Sequence, residues 1–354
     1  GRGTGRAGSG ATAGGRHVRP TGDLYGELLM YAAPHTGHRP GPPSPPGLAF
    51  GAATARSRDA HRQPALQRLA FRAMGTRVEA LLDAPPSAAV RAAFAFVRAE
   101  FERLERVFSR FRPDSELSRL NEAGSIEAGP DLRAVVELAL AARERTAGRF
   151  DPTLHDAVVA AGYDRTFDEL DEHAAGRPAP DPVIAREVTL RGRRIELGPG
   201  VRLDLGGIVK GYAADRCAQM LAPLGPCLVN AGGDLAVAGS RSHGSWPVAV
   251  DVPNREALTL AVASGGLATS GRDRRRWRQR GEERHHLIDP ATCRPAEGGP
   301  LTVTVAGPSA TDAEVAAKEI FLAGDDAEHQ ADRLGTPAVI VHPDGRVRLT
   351  GGLA

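Results

Sequence analysis

Short stretches of alternating apolar and polar residues recur from residue 67 onward, and they restrict the possible folds more than any other feature. Residues 69–73 and 78–82 alternate in this way on either side of Met74-Gly75-Thr76, which predicts two strands joined by a tight turn. The apolar residues that follow are spaced as in one long amphipathic helix: Val90, Phe94, Val97, Phe101, Leu104 and Phe108. Many strands combined with few helices predict an α+β fold.

Later segments extend this pattern. A second helix is predicted from Asp131, as N-cap, to Gly148, and further helices over residues 207–221 and 309–323. The turn sequence Pro343-Asp344-Gly345 predicts a hairpin before the last strand, and residues 168–182 predict a loop. The other predicted strands are Arg194 to Leu197, Leu228 to Asn230, Val248 to Val252, Leu258 to Val262, Leu301 to Ala306 and Ala338 to His342.

The N-terminal region has a different composition. Residues 1–66 contain 13 Gly and 8 Pro and show no sustained periodicity. This predicts a disordered or linker-like tail over residues 1–66, followed by one domain over residues 67–354. The mildly apolar stretch Leu24 to Ala33 is too short and too weakly hydrophobic to cross a bilayer, so no stable membrane span is expected.

Charge and cysteine content exclude several function classes. The net charge is +2, but residues 1–66 hold eight Arg against three acids, and the rest of the chain holds 37 basic and 40 acidic side chains. We therefore expect no nucleic-acid partner. Cys217, Cys227 and Cys293 form no CxxC pair, which argues against a disulfide framework and a zinc site. Free thiols favour a reducing compartment, and a cytoplasmic location is expected.

Lysine is scarce. Lys210 and Lys318 are the only lysines, beside 43 arginines. An ammonium is a compact point charge and a guanidinium is a planar fork, so a lysine retained in such a composition is a candidate for chemistry that arginine cannot perform.

The segment from Arg202 to Tyr212 is the most informative motif. It predicts a strand that ends at Asp204, a Gly206-Gly207 pair and a helix that bears Lys210. Backbone N–H groups behind such a glycine pair can approach phosphate oxygens, and a lysine adds a point charge. The alternative is a glycine-rich turn with Lys210 on a solvated helix face.

Three other segments are candidates for a binding site. The Gly pair in Val229 to Leu235 predicts either a loop close to a ligand or a tight hairpin. His286 with Asp289 offers a general base and an orienting carboxylate, although a histidine near a strand is more often structural or exposed. The six arginines around Trp277 in residues 272–280 predict a solvated hairpin or a rim that attracts an anionic diphosphate.

Taken in order from about Phe71 to Leu349, these segments resemble the ApbE family of FAD:protein FMN transferases. Each segment is weak evidence alone, but seven in the right order with plausible spacing are a strong signal. The residues that carry the resemblance are Ala73 to Thr76, Phe108 to Asn121, Gly148 to Thr153, Asp204 to Tyr212, Asn230 to Asp234, Ala268 to Gly271 and His286 to Pro290.

The resemblance implies a fold and an activity. The expected fold is α+β and related to the T-fold, with mixed sheets flanked by helices and the FAD site between two sublobes. The family moves FMN from FAD onto a Thr or Ser hydroxyl of an acceptor flavoprotein, forms a phosphoester and releases AMP, and usually needs magnesium. The alternatives within reach of such a site are an FAD pyrophosphatase, which gives FMN and AMP, and a non-catalytic FAD-binding protein.

The family's site residues transfer by motif position. His286 is expected to accept the proton of the acceptor hydroxyl, with Asp289 orienting its loop and Lys210 at the phosphates. Phe111 stands where the family often has Tyr. The residues expected to line the FAD site are Met74, Phe111, Arg149, Phe150, Asp151, Asp204, Lys210 and Ile288.

The sequence departs from the family at the expected metal site. By resemblance Gly207 would give a backbone carbonyl, while Glu314 stands at a position where the family has Asp and Lys318 where it has Thr. Asp312 could replace Glu314 only if the start of the helix shifted by two residues. An ammonium cannot ligate a cation, so one hypothesis is that Lys318 contacts the diphosphate and loosens the magnesium requirement. The alternative is an i, i+4 ion pair between Glu314 and Lys318 on the helix.

Overall fold

The fold is that of a computed structural model, which describes residues 48–49, 66–170, 187–239, 241, 244–279 and 281–353. Most of the predicted tail over residues 1–66 lies outside these residues, as does the predicted loop over residues 168–182 from residue 171 onward. Within the tail, Leu48–Ala49 forms a two-residue strand that pairs with Leu258–Val262. The domain boundary at residues 66 and 67 stays a prediction.

Eighteen strands lie in the described residues. In chain order they are β1 Leu48–Ala49, β2 Leu66–Ala73, β3 Thr76–Asp83, β4 Ser125–Glu127, β5 Val188–Arg191, β6 Arg194–Leu197, β7 Cys227–Ala231, β8 Asp234–Ala238, β9 Trp246–Val250, β10 Leu258–Val262, β11 Gly265–Gly271, β12 Arg276–Gln279, β13 Glu282–His285, β14 Ile288–Asp289, β15 Arg294–Pro295, β16 Thr302–Gly307, β17 Ala338–Val341 and β18 Val347–Leu349.

Seven α-helices accompany them: α1 Ala88–Phe108, α2 Glu116–Ala123, α3 Pro130–Arg145, α4 His155–Ala160, α5 Val209–Leu221, α6 Ala310–Phe321 and α7 Ala327–Leu334. None of these helices combines the length and the apolar character that a bilayer crossing requires.

An eight-stranded antiparallel sheet forms the centre of the fold. Its strand order is β18-β17-β16-β11-β8-β7-β3-β2. The predicted strand, break, strand pattern at its edge is confirmed, because β2 and β3 pair in register from Leu66 with Asp83 to Ala73 with Thr76. The small sheet β1-β10-β9 and the sheet β4-β6-β5 are separate from it.

Alternation along the strands gives the central sheet two apolar faces. Leu81, Leu228 and Val339 point to one side and pack with the small sheet around the fully buried Trp246. Their neighbours point to the other side, where the helices cover them. This period-two pattern explains why the strands were predictable from sequence.

The helical face holds two hydrophobic clusters. One contains residues of α1, α3 and α5 packed on β3 and β7, and the other contains residues of α6 and α7 packed on β16 and β17. The two clusters correspond to the two sublobes that the resemblance implies, and the α+β class is confirmed.

Helix α3 begins earlier than the sequence pattern predicted. Gly129 is its N-cap and Pro130 its first residue, so the prediction of Asp131 as N-cap was wrong. Proline is well suited to a first helical position because its fixed φ matches the helix and its missing N–H needs no partner. Asp131 instead accepts hydrogen bonds from Arg103 Nη1 at 2.7 Å and from the Tyr212 hydroxyl at 3.1 Å.

Helices α5 and α6 approach closely at Gly211. A Cβ at this position would lie 2.7 Å from the backbone carbonyl of Ala310, so only glycine permits the approach. Asp215 on α5 then accepts hydrogen bonds from the Ala310 N–H at 2.8 Å and from the Thr311 N–H at 2.9 Å. These contacts fix the start of α6 against α5 and set the relative position of Lys210 and Glu314.

Candidate active site

A pocket opens between the two clusters of the helical face. Phe108, Phe150 and Val209 of the first cluster line it, together with Leu287 and Leu322 of the second. Its remaining walls come from the β2–β3 turn, the segment after α1, the segment from α3 to residue 167 and the Asp204 to Lys210 block.

The β2–β3 turn places Met74 at the pocket. Met74 and Gly75 have φ angles of 50° and 64°. Two successive residues at positive φ form the tight turn whose twist suits a hairpin. Met74 lies in this turn and lines the pocket, while its predicted role in an FAD site stays a prediction.

Arg110 and Asp204 form a largely buried ion pair in the pocket wall. Arg110 Nε lies 3.0 Å from Asp204 Oδ2, and the Gly206 N–H donates to Asp204 Oδ1 at 2.7 Å. Burial opposes ionisation of Asp204, but Arg110 and the Gly206 N–H outweigh it, so the pKa of this carboxyl is lowered. Asp204 is therefore a charged group that holds the Gly206-Gly207 turn.

Asn121 fixes the segment that leads to Asp204, which forms no strand, so the prediction of a strand that ends at Asp204 was wrong. Its side-chain Nδ2 donates to the Leu203 carbonyl at 2.8 Å, and its Oδ1 accepts from the Leu203 N–H at 2.7 Å. Two hydrogen bonds from one amide replace the pairing that a neighbouring strand would give. Asn121 thus holds Leu203, which is 82 residues later in the chain, and with it the neighbouring Asp204.

Aromatic side chains stack along one wall of the pocket. The ring centroids of Phe111 and Tyr163 are 5.6 Å apart, and those of Tyr163 and Trp277 are 5.5 Å apart. The guanidinium of Arg110 lies over Phe111 at 4.2 Å and over Tyr163 at 4.6 Å. Trp277 donates its indole N–H to the Ala161 carbonyl at 2.9 Å, which fixes the outer ring. This wall offers the flat apolar surface that an aromatic ring of a ligand requires.

Arg149, Phe150 and Asp151 all line the pocket, as predicted. Phe150 is buried, and its N–H donates to Thr146 Oγ1 at 3.0 Å. Asp151 Oδ1 accepts from the Thr153 hydroxyl at 2.6 Å and from its N–H at 2.9 Å, so this carboxylate organises its own turn.

Lys210 lies in a buried cluster with two carboxylates. Its ammonium forms an ion pair with Asp234 and lies 2.6 Å from Glu314 Oε1. Burial disfavours the charged ammonium, but the two carboxylates raise its pKa to about 12. Burial and the nearby Glu314 carboxylate raise the pKa of Asp234 to about 6, although Lys210 opposes this. The alternative prediction, that Lys210 lies on a solvated helix face, is therefore wrong.

Lys318 reaches the pocket from α6. Its ammonium lies beside the Gly207 backbone, where a Cβ on Gly207 would overlap it, and 5.4 Å from the centroid of the Phe150 ring. It has no ion-pair partner among the described residues. Burial and the charge of Lys210 lower its pKa, against the attraction of Glu314. The predicted Glu314 to Lys318 pair on the helix does not form, because Glu314 binds Lys210.

His286 lines the same pocket. Its Nδ1 atom is buried and has no hydrogen-bond partner among the described residues. Burial, Arg275 and Lys318 lower the pKa of its imidazole well below the usual value, so the ring is neutral at neutral pH. A neutral imidazole next to cations can accept a proton.

Asp289 lies behind His286 and outside the pocket lining. Its Oδ1 accepts from the Ala291 N–H at 2.9 Å and its Oδ2 from the Thr292 hydroxyl at 3.3 Å. It makes no hydrogen bond to His286 and instead organises the turn after β14. Ile288, between the two, is buried and lines the pocket.

The residues predicted for magnesium do not fit a divalent cation. Both oxygens of Glu314 are taken, since Oε1 accepts from Lys210 and Oε2 from the Gly211 N–H at 2.9 Å. Asp312 Oδ2 accepts from the Ser309 hydroxyl at 2.8 Å at the N-cap of α6, away from the pocket. Gly207 lines the pocket, but the Lys318 ammonium lies beside it. The described residues also contain no group of three or more His, Cys, Asp or Glu arranged for a metal.

The ApbE family model matches residues 74–340, which include every segment that forms the pocket. The chain belongs to the ApbE family. The FAD:protein FMN transferase of Treponema pallidum is 31% identical over 76% of this chain and 82% of its own length. The FAD:protein FMN transferase of Rhodobacter capsulatus is 30% identical over 79% of this chain and 56% of its own length.

Among solved structures, the ApbE protein of Thermotoga maritima superposes with a TM-score of 0.69. It is 26% identical in sequence, and the match covers 80% of this chain and 97% of that chain. The ApbE fold is therefore shared over 80% of this chain.

Several pocket residues were absent from the predicted set. Arg110 and Asn121 lay inside a motif that carried the resemblance, and Asp234 followed the second Gly pair, but spacing alone gave them no role. Tyr163 and Arg275 lay outside the motifs. Arg275 lines the pocket from the arginine-rich segment, in which β12 and β13 form the predicted hairpin.

Proposed function

We propose that this protein transfers FMN from FAD to a Thr or Ser hydroxyl of an acceptor flavoprotein and releases AMP. The observation that carries the proposal is the combination, in one pocket, of a neutral histidine with cationic groups that have no acidic partner. Lys318, Arg149 and Arg275 line the pocket, and none has an ion-pair partner among the described residues. Cations without partners favour an anionic ligand, and a dinucleotide diphosphate supplies one.

The aromatic wall favours the rings of FAD as the rest of the ligand. The rings of Phe111 and Tyr163 pack at a tilt of 55° beside the cationic part of the pocket. A flavin or adenine ring stacks on such a surface, while the diphosphate reaches the cations. The names of the relatives from Treponema pallidum and Rhodobacter capsulatus support FAD as the donor.

The reaction balances with groups that the pocket provides. The acceptor oxygen attacks the phosphorus of the FMN half, a new oxygen–phosphorus bond forms, and the anhydride bond to AMP breaks. His286 accepts the hydroxyl proton, and the nearby cations stabilise the charge that develops on the phosphate oxygens. The Asp204 turn and the Asn121 amide keep the Gly206-Gly207 backbone in place during the step.

Two alternatives use the same pocket. Water in place of the acceptor would give FMN and AMP, and binding without turnover would make the protein an FAD carrier. Transfer is favoured over both because His286 is neutral and lies in the pocket lining, where an acceptor hydroxyl can reach it, and because the named relatives are transferases.

The test separates the three activities. The protein is incubated with FAD and a flavoprotein domain that carries a Thr flavinylation site, with the Thr→Val domain as control, and AMP and acceptor mass are measured. Acceptor-dependent AMP with an equal amount of FMN adduct supports transfer. AMP that is independent of the acceptor would indicate a pyrophosphatase, and FAD that is bound but uncleaved would indicate a carrier.

A further inference from the structure

We propose that the Lys318 ammonium occupies the position of a divalent cation in this pocket, so that FAD binds and reacts without magnesium. The inference rests on the proposed function for its ligand, FAD. It follows from the positions of Lys210, Lys318, Asp234 and Glu314. It also explains why the residues predicted for magnesium do not fit a divalent cation.

The space beside Gly207 accommodates the Lys318 ammonium. The Lys318 ammonium lies beside the Gly207 backbone, close enough that a Cβ there would overlap it, and the Phe150 ring bounds it on the other side. Gly207 has no positive φ angle, so its backbone does not need glycine for conformational reasons. Glycine at this position leaves room for the ammonium.

The carboxylates near Lys318 already have partners within the protein. A divalent cation here would need carboxylate oxygens, and magnesium binds one or two of them in near-octahedral geometry. The carboxylates of Asp234 and Glu314 are held by Lys210, and Glu314 also accepts from the Gly211 N–H, while the Asp204 carboxylate is paired with Arg110. No oxygen of Glu314 is left to turn toward a metal.

The charges of two lysines and two carboxylates balance at this place. Asp234 and Glu314 together carry two negative charges when both are ionised. Lys210 and Lys318 together carry two positive charges, the same total charge as one divalent cation. Lys210 forms ion pairs with both carboxylates, whereas Lys318 has no ion-pair partner among the described residues. A diphosphate oxygen would supply the partner that this buried ammonium lacks. An ammonium can donate up to three hydrogen bonds to phosphate oxygens.

The experiment measures FAD binding and turnover with and without metal. FAD is titrated into the full-length protein by calorimetry in EDTA and in excess magnesium, with AMP assayed to correct for cleavage. Lys318→Thr removes the ammonium, Lys318→Arg keeps the charge, and Arg346→Met is a matched loss of one positive charge at an exposed turn far from the pocket. Circular dichroism checks that each variant is folded.

The inference predicts that EDTA changes the FAD affinity of the wild-type protein by about twofold or less. Lys318→Thr should weaken FAD binding in EDTA by about tenfold or more, the effect of a hydrogen bond to a charged group. Arg346→Met should bind within about threefold of the wild type, whereas Lys318→Arg, which keeps the charge but has a bulkier planar head, should fall between the wild type and Lys318→Thr. If Lys318→Thr fails to fold, the EDTA result and Lys318→Arg still test the inference.

Two results would overturn the inference: magnesium-dependent FAD binding by the wild type, or unchanged binding by Lys318→Thr in EDTA. Its failure is separable from that of the proposed function. FMN transfer that strictly requires magnesium supports the transferase and refutes the ammonium's role. Metal-free FAD binding that depends on Lys318, without any transfer, supports the ammonium's role and refutes the transferase.

Discussion

Lys210 Nζ lies 2.6 Å from Glu314 Oε1, and this contact joins α5 to α6 across 104 residues of sequence. Both side chains are largely buried, with 14% and 6% of their surface exposed. The pair fixes the two helices that carry Lys210 and Lys318 into the pocket. It therefore connects the stability of the fold to the geometry of the site.

Glu314→Ala should lower the free energy of unfolding by about 3 kcal/mol, because it leaves the Gly211 N–H without its acceptor and removes one of two partners of a buried charge. Glu314→Gln should cost less, since the amide oxygen can still accept from Gly211. Urea denaturation measures both. A loss below about 0.5 kcal/mol for Glu314→Ala would show that the contact contributes nothing to the native state.

Gly207→Ala should weaken FAD binding while leaving the protein folded. The added methyl group overlaps the Lys318 ammonium, which is the end of a flexible side chain and can move away. The displaced ammonium no longer lies beside the Gly207 backbone, and we expect about a tenfold loss of affinity. In the Lys318→Thr background the same substitution should cost little more. Additive losses in calorimetric titrations would contradict this coupling.

The pH profile of transfer should reflect the neutral state of His286. Its folded pKa lies below the ordinary 6.5, so the ring stays an acceptor as the pH falls through 6.5 and loses activity only below its folded pKa. The acid limb of kcat/KM should therefore lie below pH 6.5. Asp234, with a pKa of about 6, titrates nearby, and Asp234→Asn isolates its contribution. A limb at or above pH 6.5 in both proteins would disprove the assignment.

Tyr163→Leu should weaken FAD binding by about two- to tenfold, the loss expected for one stacked aromatic pair. The side chain stacks between Phe111 and Trp277 in the pocket wall. Phe96→Leu is the matched control, because Phe96 is 64% exposed on α1 and lies outside the pocket. Equal affinities of the two variants in calorimetry would mean that FAD does not use this wall.

Period-two alternation and helical spacing were sufficient to predict α1, the α+β class and most strands of the central sheet, because one face of each element is buried, but β8 and β11 were not predicted. The short helices α2, α4 and α7 were not predicted, since six to eight residues give too little periodicity. The start of α3 was missed because Asp131 was expected to be the N-cap. The helix instead begins with Pro130 as its first residue and Gly129 as its N-cap.

The site was less predictable than the fold. Its residues come from segments far apart in the chain, and motif order brought most of them together. Sequence spacing could not show that Glu314 binds Lys210 rather than Lys318, because that choice depends on the close approach of α5 and α6 at Gly211. Tyr163 belongs to no motif, and the arginine-rich segment of residues 272–280 did not single out Arg275, so only the folded chain places these two residues in the pocket. The cytoplasmic location stays a prediction.

The most direct test of the central claim is the intact mass of an acceptor flavoprotein after incubation with FAD and either the wild-type protein or His286→Ala. We predict that the wild type adds the mass of one FMN less water, with one AMP released per adduct. His286→Ala should bind FAD with similar affinity and form adduct at least about a hundredfold more slowly, the usual contribution of a general base. An adduct formed equally fast by His286→Ala, or AMP released by the wild type without any adduct, would contradict the account.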